Sequence, residues 1–299
     1  MKHMDFDRFR EAGRIAAEAR ELGRSLIRPG VLLREVVEAC EARIRERGGE
    51  PAFPAQISRN HVAAHYCPPP DDETRIETDD ILKLDLGVHL EGHIADTALT
   101  VDLRDGEDSP LSTASRMALE NVLAMIGPGV ALREIGRTIH DTIQALGFKP
   151  VFNLTGHGVA RWQVHCAPQI PNYDDRRSGH LRPGQVVAIE PFASDGKGYI
   201  DEVGAPEVFQ QSRPLRPRDK LPEELVRFLE DLHRLPFARR DLRRRMSARD
   251  AERGLALLKK RRLLVEYPPL AERPGTRISQ HEHTILILED GAEPTTKVA

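Results

Sequence analysis

The stretches that decide the fold are IRPGVLLREV at residues 27–36 and IGPGVALREI at residues 126–135. Seven of the ten positions are identical, at a constant offset of 99 residues. Chance recurrence of Pro-Gly loops and Arg-Glu helix starts is the alternative explanation. We interpret the match as an internal repeat of a helix-helix-strand unit, which would place a functional site at the seam between two similar halves.

The hydrophobic periodicity around these stretches predicts two pairs of helices and several strands. Helical spacing predicts helices over residues 8–27, 31–47, 112–126 and 131–146. Apolar and polar residues alternate over 82–90, and Glu91-Gly92 predicts a tight turn into a second strand over 93–103. Further strands are predicted at 151–156, 186–193, 198–203 and 278–288. This order indicates an α/β fold with mainly antiparallel strands.

Composition excludes several classes of protein. The 299 residues include 44 Lys+Arg and 47 Asp+Glu, so the net charge of −3 fits neither a DNA-coating protein nor an acidic disordered tail. No apolar run reaches the roughly 18–20 residues needed to span a bilayer, and residues 1–5 lead into a charged helix rather than a signal peptide. We therefore expect a cytoplasmic protein, and the length indicates one large domain or two ordinary ones.

The three cysteines, Cys40, Cys67 and Cys166, are an odd number without Cys-x-x-Cys spacing. They predict reduced thiols rather than a disulfide framework or a cysteine zinc site.

One segment differs from the rest in charge. Residues 213–262 contain 17 basic and 8 acidic residues. The pattern predicts helices over 222–233, 237–245 and 248–262, the last with Ser247 as its N-cap, and it indicates a helical insertion. Two interpretations are open: a solvated arginine-rich face, or a surface that contacts the phosphates of a ribosome or another nucleic acid.

The hairpin carries two carboxylates on one face. If the turn at Glu91-Gly92 pairs Leu90 with His93, then Gly87 lies opposite Asp96, and Asp85 points to the same side as Gly87. Diagonal neighbours of this kind are about 7–8 Å apart, so both side chains can reach a common ion. A lone strand aspartate is usually a surface residue, but two in apolar strands are costly to bury without a cation.

Three further candidates lie in similar settings. Glu190 ends the apolar run at 186–189, Glu282 lies within 278–286, and His157 is bracketed by glycines that let the backbone turn and a ligand approach. One imidazole with four carboxylates suits a pair of divalent cations about 3.5–4 Å apart. The chemistry would be hydrolytic, because a bridging water acidified by two cations becomes a hydroxide nucleophile while the metals polarise the carbonyl under attack.

These residues resemble the methionine aminopeptidases, and specifically the type 2 branch in its short archaeal form, over essentially the whole chain. The motifs are KLDLG at 83–87, IADTA at 94–98, NLTGH at 153–157, IEPF at 189–192 and HEHT at 281–284. The resemblance implies a single peptidase catalytic domain over residues 1–299, with the pita-bread α/β fold and two pseudo-symmetric helix-helix-strand halves. It also implies a type 2 helical insertion over 207–270, which contains LPFAR at 235–239.

The resemblance also assigns roles to site residues. It implies two divalent metal ions (Co, Mn, Fe, Zn or Ni) held by Asp85, Asp96, His157, Glu190 and Glu282. Glu190 would double as the general base. His65 would place the substrate and donate a proton, and His165 would hydrogen-bond the scissile amide or the tetrahedral oxyanion. Phe53 and Tyr267 would line the methionine pocket, where aromatic edges hold a thioether well. Without the family, the histidines would be ordinary polar residues and the two aromatic residues core packing.

The implied activity is removal of the initiator methionine from nascent chains whose second residue is small. The expected partners are nascent N-termini, with possible ribosome contact through 213–262, no membrane, no specific DNA and a monomeric state. One alternative is an X-Pro aminopeptidase or dipeptidase of the same fold, against which the insertion argues. Another is a non-catalytic relative that binds RNA or ribosomes, which would be expected to have lost ligands.

Two positions depart from the family pattern. His281 replaces an aromatic residue before the last glutamate, and Cys166 replaces a small residue after His165. They leave open an additional metal contact from His281, or a thiol that shifts metal preference or redox sensitivity. Alternation along the strand favours His281 pointing away from Glu282.

Overall fold

The computed structural model describes residues 5–106 and 109–298. The signal-peptide expectation rests on residues 1–5, of which residues 1–4 lie outside the described part of the chain. No helix among the described residues has the length and apolar character needed to cross a membrane. Cys40, Cys67 and Cys166 are each unpaired.

All four helices of the repeat are confirmed, with ends within two residues of the predicted ones. They are α1 Phe6–Leu26, α2 Leu33–Glu46, α3 Pro110–Met125 and α4 Leu132–Ala145. Three further helices lie in the basic segment: α5 Glu223–Asp231, α6 Arg239–Arg245 and α7 Ala248–Lys260. Ser247 caps α7 as predicted, since its side chain accepts a hydrogen bond from the Asp250 amide.

The strands are all paired antiparallel, as predicted. They are β1 Glu50–Arg59, β2 Val62–Ala64, β3 Ile81–Leu90, β4 His93–Asp102, β5 Lys149–Pro150, β6 Thr155–Ala160, β7 Gln163–Pro171, β8 Val186–Ile189, β9 Phe192–Ser194, β10 Asp201–Glu202, β11 Val208–Gln211, β12 Phe237–Ala238, β13 Leu264–Tyr267, β14 Leu270–Ala271, β15 Ile278–Gln280, β16 Glu282–Ile287 and β17 Ala292–Pro294. The main sheet has the order β1-β3-β4-β16-β8-β6-β7, with β17 beside β16. The smaller sheets are β10-β14-β2, β12-β11-β13 and β15-β9-β5.

Several predicted strand boundaries are wrong. Most of 151–156 is a connection that enters β6, and 198–203 reduces to β10. The stretch 186–193 breaks after β8 at Glu190-Pro191, and 278–288 breaks at His281, so each supplies strands to two sheets. Strands β1, β2, β5, β7, β11, β13, β14 and β17 were not predicted, and β12 replaces the first two residues of the helix predicted at 237–245. The prolines of β1 (Pro51 and Pro54) are tolerated because β1 lies at the edge of the main sheet.

The internal repeat is also a structural repeat. In the first copy the Gly30 amide donates to the Ile76 carbonyl, and the Ile76 amide donates to Val31, at 2.8 and 2.9 Å. In the second copy Gly129, Leu181 and Val130 make the same two bonds at the same distances. The two pseudo-symmetric halves are therefore confirmed.

The halves pack their helices against the sheet through separate apolar cores. Helices α1 and α2 bury Leu82, Leu84, Leu86 and Val88 of β3, whereas α3 and α4 pack around Val187, Ile189 and Ile285 of β8 and β16. Because strand side chains alternate, Asp85 and Gly87 of β3 project to the opposite face. That face is where the candidate site lies.

The basic segment has an apolar cluster of its own. Phe209, Leu225, Phe228, Phe237 and Leu255 join strands β11 and β12 to helices α5 and α7.

The repeated turn predicts a difference between two neighbouring glycines. Gly129 has φ +84°, and a Cβ added there would meet nothing within 4 Å, whereas Gly127 has equal space without a positive φ. The first copy carries Arg28 at the position equivalent to Gly127. We expect Gly129→Ala to lower the free energy of unfolding by about 1 kcal/mol through backbone strain alone. Gly127→Ala is the matched control and should leave the guanidinium midpoint nearly unchanged. Equal losses in the two variants would contradict this explanation of the turn.

Candidate active site

Five adjacent strands of the main sheet each bring one candidate ligand to the same face. Asp85 lies on β3, Asp96 on β4, Glu282 at the start of β16, Glu190 directly after β8 and His157 on β6. The predicted hairpin register is confirmed, since Leu90 pairs with His93 and Gly87 with Asp96. All five side chains line one cavity of about 280 Å³.

The glycines beside His157 act differently from the prediction, because they lie within β6 rather than in a turn. A Cβ at Gly156 would come within 2.4 Å of the Ala188 carbonyl oxygen, and one at Gly158 within 2.2 Å of the Ala167 oxygen. The glycines therefore let the neighbouring backbones approach β6 closely. This close packing brings the His157 ring beside the residues of β8.

The ligand atoms of the cluster are close together. His157 Nε2 lies 3.5 Å from Glu190 Oε1 and 3.7 Å from Asp96 Oδ2. One ligand atom from each of Asp96, His157 and Glu282 lies within 4.8 Å of the other two. A hydroxyl ties two of the carboxylate-bearing strands together, because Thr284 Oγ1 accepts from the Asp96 amide at 2.7 Å and donates to the Asp96 carbonyl at 2.9 Å.

Burial and mutual repulsion oppose ionisation of the carboxyl groups. Burial raises the pKa of Asp85 to about 7. Burial, together with the charge of Asp85, raises the pKa of Asp96 well above its ordinary value. The pKa values of Glu190 and Glu282 are also well raised, by burial and by the charge of Asp96. Burial lowers the pKa of His157 to about 3, so its imidazole is neutral and able to coordinate.

The donor set fits divalent cations. Asp85 Oδ1, Asp96 Oδ1 and Glu282 Oε1 are buried and have no hydrogen-bond partner within residues 5–106 and 109–298, although buried polar atoms in proteins are nearly always paired. Carboxylate oxygens with one neutral imidazole are ligands that divalent transition metals accept. A bound cation would coordinate these unpaired carboxylate oxygens and would also offset the repulsion between the carboxylates.

The other predicted site residues line the same cavity. Phe53, His65, His165 and Tyr267 all contribute to its wall. The His65 and Tyr267 rings meet edge to face with centroids 5.6 Å apart, and the exposed His165 ring lies 4.3 Å from that of His157. His165 also lines an adjoining open cavity, so it stands at the mouth of the site.

Sequence reasoning missed two glutamines. Gln280 Nε2 lies 3.4 Å from Glu190 Oε2 and 3.5 Å from Glu282 Oε2, so its amide donates toward two carboxylates. Gln56, on β1, lines the cavity, and its side-chain oxygen accepts from the His65 amide at 2.9 Å. The spacing of Gln280 two residues before Glu282 was a usable signal, whereas nothing local marks Gln56.

The additional metal contact left open for His281 is excluded. Its Nδ1 lies 2.9 Å from Ser115 Oγ on α3, and the ring lines a cavity on the helical side of the sheet. The chain breaks at His281 between β15 and β16, and this residue faces away from Glu282 as alternation favours. Cys166 lines the adjoining open cavity and is not in the wall of the cavity that holds the five candidate ligands.

Several arginines of the basic segment are engaged in ion pairs. Arg239 pairs with Glu207 and Glu252, Arg240 with Glu41, and Arg243 with Asp71. Part of the positive charge that the composition of this segment indicates is therefore neutralised by neighbouring carboxylates.

The comparisons with known proteins agree with this geometry. The model of metallopeptidase family M24 matches residues 7–220. The chain is 42% identical over 295 residues to the methionine aminopeptidase of Methanocaldococcus jannaschii, covering 98% of each chain. It is 40% identical over 291 residues to that of Methanothermobacter thermautotrophicus, covering 96% of this chain and 97% of that protein.

A solved structure supports the fold. The crystal structure of the methionine aminopeptidase of Thermotoga maritima is 24% identical with a TM-score of 0.72, and the match covers 100% of this chain and 98% of that one. The predicted pita-bread fold and the resemblance to methionine aminopeptidases are confirmed. The chain belongs to metallopeptidase family M24 and, within it, to the methionine aminopeptidases.

Proposed function

We propose that this chain is a dinuclear metallo-aminopeptidase that removes the N-terminal methionine from nascent proteins and peptides whose second residue is small. The observation that carries the proposal is the convergence of four carboxyl groups and one imidazole in the wall of a single cavity. The relatives that match over nearly the full chain are named methionine aminopeptidases, which does not favour an X-Pro peptidase. Retention of all five candidate ligands argues against a non-catalytic relative.

The residues that would hold the two cations are Asp85, Asp96, His157, Glu190 and Glu282. When bound, the cations supply Lewis acidity that polarises the scissile carbonyl and lowers the pKa of water toward neutrality. Glu190 is suited to be the general base, because its carboxyl group lies within the cluster and its raised pKa favours proton uptake. Gln280 keeps the Glu190 and Glu282 carboxylates oriented through its amide.

The remaining wall residues bind the substrate. His65 and Tyr267 form one side of the cavity, with the buried Phe53 against Gly87 on another, and these rings suit a thioether side chain. His165 at the mouth is placed to hydrogen-bond the amide that is cleaved. A pocket closed around one side chain restricts the enzyme to the first residue and leaves little room for a bulky second one.

The segment 207–270 acts in this proposal as the type 2 helical insertion within one catalytic domain spanning the chain. Its strand β13 ends at Tyr267 and so supplies one wall of the pocket. A monomeric, cytoplasmic enzyme and ribosome contact through 213–262 stay predictions. A test of ribosome contact is best made at exposed Arg249, Lys260 and Arg262, because Arg243 and Arg244 pair with Asp71 and Glu41 outside the segment.

The substrate preference tests the function directly. With the manganese-loaded enzyme, we expect kcat/KM for Met-Ala-Ser to exceed that for Met-Phe-Ser by about 100-fold, because a bulky second residue clashes at the pocket mouth. Ala-Pro should be a poor substrate. Release of free methionine is measured by chromatography. Faster cleavage of Ala-Pro than of Met-Ala-Ser would overturn the proposal in favour of the X-Pro peptidase.

Removing one carboxylate should abolish metal binding yet stabilise the metal-free protein. We expect Asp96→Asn to raise the Tm of metal-free protein at pH 8 by about 2–5 °C, since it removes a buried carboxyl group whose ionisation is opposed by burial and by Asp85. Asp201→Asn, at an exposed position on β10, is the matched control for changing an aspartate. Differential scanning calorimetry and metal content per chain are the measurements. A destabilised Asp96→Asn protein that still binds metal would contradict the account.

The burial of Asp85 fixes the direction of a pH effect on stability. Because the folded-state pKa of Asp85 is raised to about 7, its contribution to stability is fully present below the unfolded pKa of about 4. That contribution is lost as the pH rises through 7. The Tm of the metal-free protein should therefore fall between pH 5 and pH 8 relative to the metal-loaded protein. Asp96→Asn should show a smaller fall.

A further inference from the structure

His65 has a backbone conformation that needs outside support. Its φ is +66°, in the left-handed region that residues other than glycine seldom occupy, at a cost of about 1–3 kcal/mol. The Gln56 side chain accepts from the His65 amide on one side. The segments that hold this bond are β1, which carries Gln56, and the residues after His65. A contact that fixes these two segments relative to each other therefore also fixes the position of the His65 ring.

Arg240 of α6 contacts both segments. Its Nη1 contacts Cys67 Sγ and donates to the Pro68 carbonyl at 3.5 Å, just after His65. Its Nη2 donates to the Ala55 carbonyl at 3.2 Å, one residue before Gln56. Arg240 is only 3% exposed, so water does not compete for these bonds. The planar guanidinium, with its several donors, is suited to hold two strands at once.

Glu41 of α2 neutralises this buried charge. Its side chain, 1% exposed, accepts from Arg240 Nη2 and from Arg244 Nη1, and it also accepts from the Ala55 amide at 3.2 Å. A buried ion pair contributes little net stability compared with apolar residues of similar size. A buried pair at this point is therefore better suited to fixing a conformation than to adding stability.

The strand just before α6 is linked through β11 to the strand that carries Tyr267 in the other wall of the pocket. Ala238, two residues before Arg240, pairs with Val208 of β11, and Val208 pairs with Tyr267 of β13. Tyr267 in turn meets the His65 ring edge to face. One short path thus links Arg240 to both sides of the pocket.

We propose that Arg240, neutralised by Glu41, is a positioning residue that fixes His65 against Tyr267 and so sets the fit of the first substrate residue. The inference rests on the proposed aminopeptidase function. It extends that function by assigning a role to two buried side chains that do not line the pocket.

The test uses the full-length, manganese-loaded enzyme with both partners changed to apolar residues, Glu41→Met together with Arg240→Met. Because both charges of the pair are removed and Arg244 keeps Asp241 as its partner, no buried charge is left unpaired, and the double variant should fold with wild-type metal content. We expect kcat/KM for Met-Ala-Ser to fall about 10- to 100-fold, since small displacements of positioned groups are costly. The inhibition constant of free methionine should rise, as the pocket for the first side chain loosens.

The matched control is Glu223→Met together with Arg227→Met, an exposed ion pair on α5 of the same segment. It should leave every constant unchanged. A folded, metal-loaded double variant of Glu41 and Arg240 with wild-type kinetics and methionine inhibition would overturn the positioning role. Absence of activity in the unmodified enzyme would instead refute the proposed function.

A second variant, Arg240→Lys, tests the positioning role of Arg240 if the double variant does not fold. In Arg240→Lys an ammonium group can still pair with Glu41 but cannot reach Cys67 and Ala55 together. We expect a loss of about 3- to 10-fold in kcat/KM for Met-Ala-Ser, with weaker methionine inhibition and unchanged metal content. Wild-type values in folded Arg240→Lys would overturn the proposal.

Discussion

The cost of burying several carboxyl groups around one neutral imidazole is the constraint on which the rest of the structure depends. Asp96 and Glu282 are almost fully buried, and the pKa values of all four carboxyl groups are raised by burial, with the charges of neighbouring carboxylates adding to the shift in Asp96, Glu190 and Glu282. A fold selected for stability alone would not collect such groups. Their presence is explained if divalent cations complete the site, because a cation reverses the sign of the local interaction.

The main sheet holds these buried carboxyl groups and the imidazole together on rigid elements. Four of the ligands lie on four different strands and Glu190 directly follows a fifth, so their positions are set mainly by the hydrogen-bonded ladder of the sheet. The two halves meet along β4 and β16, and this seam carries Asp96 and Glu282. The substrate side is assembled differently: His65 and Tyr267 come from irregular or short segments, which need the buried contacts of Arg240 to stay in place.

Much of this arrangement could be predicted from the chain. The repeat at 27–36 and 126–135 indicated the two halves, and the turn at Glu91-Gly92 predicted the register that brings Asp85 and Asp96 together. Periodicity could not reveal the breaks at Glu190 and His281, because an apolar run looks the same whether it serves one sheet or two. Contacts such as Glu41 with Arg240 join residues 199 positions apart, and no local pattern encodes them.

The central claim is that Asp85, Asp96, His157, Glu190 and Glu282 together hold divalent cations. Anomalous difference maps from crystals of the manganese-loaded protein test it most directly. We expect two peaks in the cavity, each within coordination distance of side chains from this set. A map with no peak there, or with manganese bound only at other side chains, would contradict the claim.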